Sequence, residues 1–266
     1  MPRPSSLVLV AALSATMLVS GCSTTTSDDP PASSTTTSAR PGVQVSGGAP
    51  AAQRAAYESQ LVTAMRQVTQ VWGTDWSSIP VRLVVAGSGT EFAEITGRPA
   101  DGGVPAVTLA DSRVVLHPKL WTSTTAAGRQ VVLTHELTHV ALGQGRLRGV
   151  PLWVIEGSAE LTAYRASSLS TAQAAPTLSS QIRRGLVPTG PPSDAELRVT
   201  GGQTQPGAYQ NAHAWCAFLV QRKGIRVFTD FVRRADAGDR GAFEKAYGVT
   251  PAALSKPYQA WLRGWS

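Results

Sequence analysis

The chain has 266 residues, of which 42% are hydrophobic and 15% charged, so it can bury one sizeable core or two small ones. Its net charge is +7, and arginine carries most of the positive charge. A basic balance allows nucleic acid, an anionic membrane surface or acidic substrates as partners. The basic residues are scattered in pairs and form no run or stripe, so we expect no nucleic-acid partner.

The first 21 residues resemble a bacterial lipoprotein signal peptide. Arg3 precedes the apolar stretch LVLVAALSATMLV, which is too short to span a membrane stably. The stretch ends in Val-Ser-Gly-Cys, similar to a lipobox, which implies cleavage before Cys22 and lipidation of its thiol. We therefore expect a lipid-anchored protein on the extracytoplasmic face of the cell membrane. The alternative is an ordinary signal peptide with an incidental cysteine.

The composition of residues 22–50 predicts a disordered tether. The tract is rich in Ser, Thr, Pro and Gly and has no periodicity, so it cannot bury a core. Cys216 is then the only cysteine of the folded part, which excludes an internal disulfide there. Its place on an apolar helix face indicates a small buried hydrophobe.

The first half of the folded part mixes helix and strand, so the predicted fold class is α+β. Apolar residues at helical spacing predict a helix over 51–73. β-Branched runs predict strands at 81–87, 105–110 and 113–118, the last two joined by a turn. A buried helix then runs from a cap at residue 123, 124 or 125 to about Leu142.

The second half is predicted to be mainly helical. A helix is expected over 153–165, and one short helix near 193–198 in an otherwise irregular middle. Another helix follows and ends at Gly224, and the next covers 225–234. Thr250 and Pro251 predict the cap and first residue of a last helix.

The sequence HELTH, residues 135–139, is the strongest functional signal. On a helix, His135 and His139 lie one turn apart on one face, so both imidazoles can bind one metal ion. Zinc accepts such ligands. Glu136 is about 100° further round the helix, outside the metal's ligands, where a general base for the attacking water is expected. The alternative is a chance pair of core or surface histidines.

The pair HELTH and PLWVIEGSAE resembles the gluzincin zinc metallopeptidases, most closely the peptidase MA-like group. The likeness spans roughly 110–266 and implies a zincin-like metallopeptidase domain over 51–266. It implies that Glu156, the Glu before Gly, is the third zinc ligand. It also implies that Glu160, four residues later, is the carboxylate that holds a zinc-bound histidine. A solvent-facing Glu160 is the alternative.

A hydrogen-bond donor for the negative charge that develops on a substrate carbonyl is expected further along the chain. Tyr209 matches the Tyr-x-x-Ala helix opening of the resembled group, and His213 lies one turn later. Both are catalytic candidates; the alternative for Tyr209 is a packed core tyrosine. His117 and Trp153 are interpreted as packing residues.

These observations predict a zinc-dependent peptidase that acts on peptides or proteins in the cell envelope. The rival hypothesis is a non-catalytic envelope lipoprotein that uses the same fold for binding or assembly. The presence of Glu136 favours catalysis, because a structural zinc needs no general base. A structural zinc also usually has four protein ligands.

Overall fold

The computed structural model describes residues 9–10, 42–101, 103–147, 149–167, 169–198 and 205–264. Its mixture of one sheet and many helices is the α+β class that the sequence predicts. The predicted lipoprotein signal at 1–21 and the site of lipidation, Cys22, lie outside these residues, apart from positions 9 and 10. In the described part of the chain, no helix has both the length and the apolar character needed to cross a membrane.

The sheet is mixed and follows the order β1-β4-β5-β3-β2. The strands are β1 (Leu9–Val10), β2 (Val43–Ser46), β3 (Val81–Val85), β4 (Ala106–Thr108) and β5 (Arg113–Leu116). β3 is parallel to β2 and β5, whereas β4 is antiparallel to β5 and β1. Because β1 belongs to the predicted signal peptide, its removal would leave four strands with β4 at the edge.

Helices make up most of the chain. They are α1 (Ala51–Trp72), α2 (Gly89–Thr96), α3 (Lys119–Ser123), α4 (Ala126–Ala141), α5 (Leu152–Arg165), α6 (Thr171–Ala174), α7 (Pro176–Arg183), α8 (Asp194–Leu197), α9 (Pro206–Asp236), α10 (Ala242–Tyr247) and α11 (Ser255–Arg263). Two short 3-10 helices lie at Gln144–Arg146 and Ala252–Leu254.

The two helices that carry the predicted site lie in the centre of the molecule. α4 packs between α1 and α5 and against β4 and β5, and α9 covers α5. Polar contacts fix the same neighbours: Thr134 on α4 donates to Gln67 Oε1 on α1 at 2.6 Å, and Trp72 Nε1 on α1 donates to Thr162 on α5 at 2.9 Å. α2 covers the opposite face of the sheet. Most residues of the two site helices are therefore buried.

The long periodic elements were predicted correctly. α1, α4 and α5 lie where the sequence placed them, and the cap of α4 is Thr125, whose hydroxyl accepts from Gly128 N–H at 3.1 Å. The short helix α8 also lies within its predicted range. α9 keeps its predicted break, because Gly224 has φ +83° between two helical segments. The predicted last helix instead begins with a 3-10 turn, and α11 starts only at Ser255.

The folded part begins earlier than predicted. Val43–Ser46 extends the sheet beside β3, and Ala49 is buried with its N–H donating to Val85 O at 3.1 Å. The sequence predicts that these residues belong to the tether at 22–50. Their flanking glycines and serines gave the segment a linker-like composition, and two alternating valines were too short a pattern to outweigh it.

Candidate metal centre

Three buried side chains on α4 and α5 form a group that can hold a metal ion: His135, His139 and Glu156. The two histidine Nε2 atoms are 3.0 Å apart. Glu156 Oε2 lies 3.3 Å from His135 Nε2 and 3.8 Å from His139 Nε2. Tetrahedral zinc with bonds of 2.0–2.1 Å needs its ligand atoms about 3.3–3.4 Å apart. The donor set and its spacing therefore fit a small metal ion held by these three side chains.

The Nδ1 atom of each histidine faces away from the triad and has its own partner. His135 Nδ1 lies 3.3 Å from Glu160 Oε1. His139 Nδ1 lies 2.9 Å from Gln144 Oε1, in the 3-10 helix after α4. An outer acceptor on Nδ1 keeps the proton there and leaves Nε2 free as a ligand. Both histidines thus have the orientation that metal binding requires.

Burial and neighbouring groups change the pKa values of both histidines. Burial lowers the pKa of His135, but its hydrogen bonds to Glu156 and Glu160 outweigh this and raise the pKa to about 10. Burial, and then the charge of His135, hold the pKa of His139 well below its usual value. A divalent cation at this site would therefore compete with protons for the imidazole of His135.

Glu136 is fully buried, directly follows His135 on α4 and is not one of the three candidate ligands. Thr108, the last residue of β4, donates its hydroxyl to Glu136 Oε2 at 2.5 Å. Thr108 also lies 3.2 Å from the Glu136 backbone oxygen, so the end of β4 is fixed against this turn of α4. This contact orients the carboxylate that the sequence predicts to be the general base.

Tyr209 is buried on α9, and its hydroxyl donates to Leu197 O at 3.3 Å. Burial raises the pKa of its hydroxyl well above the usual value, and the charges of Glu156, Glu160 and Glu136 raise it further. The phenol therefore lies within the electrostatic field of the candidate site. Its catalytic role stays a prediction.

His213 stacks on Tyr164, with ring centroids 5.1 Å apart. Burial lowers the pKa of His213 to about 4, so its imidazole is neutral near pH 7. The ring stacking is a packing interaction, and the catalytic role predicted for His213 stays a prediction too.

The interpretations of the packing residues are confirmed. His117 is buried, with Nε2 2.7 Å from Ala100 O and Nδ1 accepting from Lys119 N–H. Trp153 stacks on Phe231 at 5.8 Å. Cys216 is fully buried, and burial raises the pKa of its thiol.

Sequence reasoning missed Thr108, Gln144 and Asp236, the last of which accepts from Gln144 Nε2 at 3.1 Å. No motif marks these positions, and none of the three is on a helix face shared with the histidines. Comparison of the chain with protein-family models, curated proteins and solved structures found no match. The class that fold and site define is an α+β protein with a buried His-His-Glu group that can hold a metal ion.

Proposed function

We propose that this protein is a zinc-dependent metallopeptidase of the gluzincin type, anchored by lipid at Cys22 to the extracytoplasmic face of a bacterial cell membrane. The observation that carries the catalytic part is a buried carboxylate, Glu136, next to the triad but outside it. A site that only binds metal for stability has no use for such a group. The three-ligand set of two histidines and one glutamate is typical of catalytic zinc in peptidases.

The chemistry divides between the metal and the protein. A zinc ion at the triad would polarise the scissile carbonyl and lower the pKa of water. Glu136, oriented by Thr108, takes one proton from the attacking water as its oxygen bonds to the carbonyl carbon. When the carbon–nitrogen bond breaks, Glu136 delivers that proton to the leaving amine nitrogen. The products are a carboxylic acid and an amine.

The sheet edge supports an extended polypeptide as the substrate. Leu9 and Val10 pair antiparallel with Thr108 and Val107 of β4. This edge therefore accepts an extended chain by backbone hydrogen bonds, the mode of β-strand addition. Thr108 is also the residue that contacts Glu136. Removal of the predicted signal peptide would expose this edge of β4, as far as the described residues are concerned.

The test uses Glu136→Gln, which preserves size but cannot accept a proton as a base. The zinc-loaded protein and the variant are incubated with a diverse peptide mixture, and new termini are read by mass spectrometry. We expect cleavage by the wild type, its loss with a chelator and its near-complete loss in the variant. Glu94→Gln, the same change at an exposed position, should cleave like the wild type.

Two results would count against this function. Cleavage that survives in Glu136→Gln would mean that another group activates the water. A wild type that binds zinc but cleaves nothing would favour the rival hypothesis, a non-catalytic envelope lipoprotein.

A further inference from the structure

A line of side chains leads from the candidate metal centre to the end of α9. His139 Nδ1 lies 2.9 Å from Gln144 Oε1, and Gln144 Nε2 lies 3.1 Å from Asp236 Oδ2. Gln144 is fully buried, whereas Asp236 is half-buried. Asp236 also lines a cavity of about 360 Å³ between α1, the end of α4 and α9. The line thus connects a deeply buried metal ligand with a more accessible carboxylate.

Asp236 determines which way the amide of Gln144 faces. A carboxylate can only accept hydrogen bonds, so it selects the amide NH2 group and turns the amide oxygen towards His139. The second NH2 hydrogen points to Ser158 Oγ at 3.4 Å. Ser158 donates its own hydroxyl proton to Ile155 O at 2.9 Å, so it can only accept from Gln144. Both NH2 contacts therefore enforce the same orientation.

If the Gln144 amide had the reverse orientation, His139 could not bind a metal ion through Nε2. An NH2 group facing His139 Nδ1 requires a lone pair on that nitrogen, which moves the ring proton to Nε2. A protonated Nε2 has no lone pair for a metal. The amide oxygen would at the same time face the carboxylate oxygen of Asp236, which is repulsive. The orientation of Gln144 is therefore coupled to the ability of His139 to bind.

We propose that Asp236 is a positioning residue for the metal ligand His139 and acts through Gln144. The proposal rests on the triad as a metal site, but it does not depend on peptide cleavage. It extends the support of the histidines beyond Glu160 to a residue 97 positions from His139 in sequence. Asp236 is not one of the three candidate ligands.

The test compares the zinc affinities of variants by competition with a chelating dye at pH 8. Burial raises the pKa of Asp236 to about 7, although its hydrogen bond from Gln144 lowers it, so the test pH lies above this pKa. Asp236→Leu removes the acceptor, and we expect zinc affinity to fall about 10–100-fold, the range for losing an outer partner of a ligand. Gln144→Leu should show a loss in the same range. Asp236→Asn retains an acceptor oxygen and should recover most of the affinity. Asp230→Leu, the same change at an exposed site on α9, should bind zinc like the wild type.

A spectroscopic measurement separates positioning from general destabilisation. In the zinc-loaded protein, the His139 Nδ1–H proton should give an NMR resonance that exchanges slowly with water. Asp236→Leu should exchange that proton about 10-fold faster or more, and Asp230→Leu should not. If Asp236→Leu keeps both wild-type zinc affinity and slow exchange, the proposal is wrong. If Asp236→Asn is as weak as Asp236→Leu, acceptor geometry is not what Asp236 supplies, and the proposal also fails.

Discussion

At the scale of single residues, the outward Nδ1 of His135 is held by Glu160 at 3.3 Å, whereas Glu156 faces the Nε2 atoms of both histidines. We therefore expect Glu160→Ala to weaken zinc binding about 10–100-fold, since it removes an outer partner of one ligand. Glu156→Ala removes a ligand and should weaken binding more. Competition titration with a chelating dye measures both.

Glu160→Gln is the matched control for this pair. Its amide oxygen can still accept from His135 Nδ1–H, so it should bind zinc better than Glu160→Ala. The reverse ranking, with Glu160→Ala worse than Glu156→Ala, would show that the carboxylates have been assigned the wrong way round.

The Tyr209 hydroxyl donates to Leu197 O and lies in the field of the site carboxylates. If its hydroxyl turns to the substrate oxygen during reaction, Tyr209→Phe should lower kcat by about 100–1000-fold, the range for one lost donor. KM and zinc content should change little. The measurement is steady-state kinetics on a peptide that the wild type cleaves. Wild-type turnover in the variant would assign Tyr209 to packing alone.

Spacing alone predicted part of the site. His135, Glu136 and His139 follow from helical periodicity, because local backbone geometry fixes which side chains share a face. Glu156 needed the resemblance to a known family. Thr108, Gln144 and Asp236 could not be predicted, since their positions depend on how β4, the turn after α4 and the end of α9 pack around the histidines.

At the scale of elements, Gly157 determines how closely α9 can pack on α5. A Cβ at this position would lie 2.6 Å from Cys216 Sγ and 2.9 Å from Ala212 O, and the second of these is backbone that cannot rotate away. This close approach brings Tyr209, on the same helix as Cys216, towards the helix that carries Glu156. It gives a physical reason for the glycine directly after the ligand.

Gly157→Ala should therefore lower the free energy of unfolding by about 1–3 kcal/mol, the usual cost of overpacking a core. Denaturant unfolding followed by circular dichroism measures it. Gly190→Ala is the control, because a Cβ there meets nothing within 4 Å and the residue has no positive φ. If both variants unfold like the wild type, the helix contact is looser than described.

Element length separates most of the predicted helices from the missed ones, and the four-residue α8 is an exception. α1, α4 and α5 present several turns of consistent pattern. The helices α2, α3, α7 and α10 have five to eight residues and were not predicted. Such short segments are helical because the surrounding structure packs on them, and a short pattern carries little information about that.

At the scale of the whole molecule, the predicted lipid anchor makes location testable apart from chemistry. Cys22→Ala should abolish labelling by a radioactive or clickable fatty acid and release the protein from the membrane fraction, because it removes the acylated thiol. Cys216→Ala is the matched control, since that thiol is fully buried, and it should be labelled like the wild type. If the wild type is not labelled, residues 1–21 are an ordinary signal peptide and not a lipoprotein signal.

The central claim, that α4 and α5 together form a catalytic-type metal centre, is tested most directly by zinc content per folded chain. Measured by mass spectrometry of the metal after dialysis, the wild type and Glu136→Gln should each hold one zinc. His139→Ala and Glu156→Ala should hold far less, because each loses one of the three candidate ligands. Stoichiometric zinc in both ligand variants, or none in the wild type, would contradict the account.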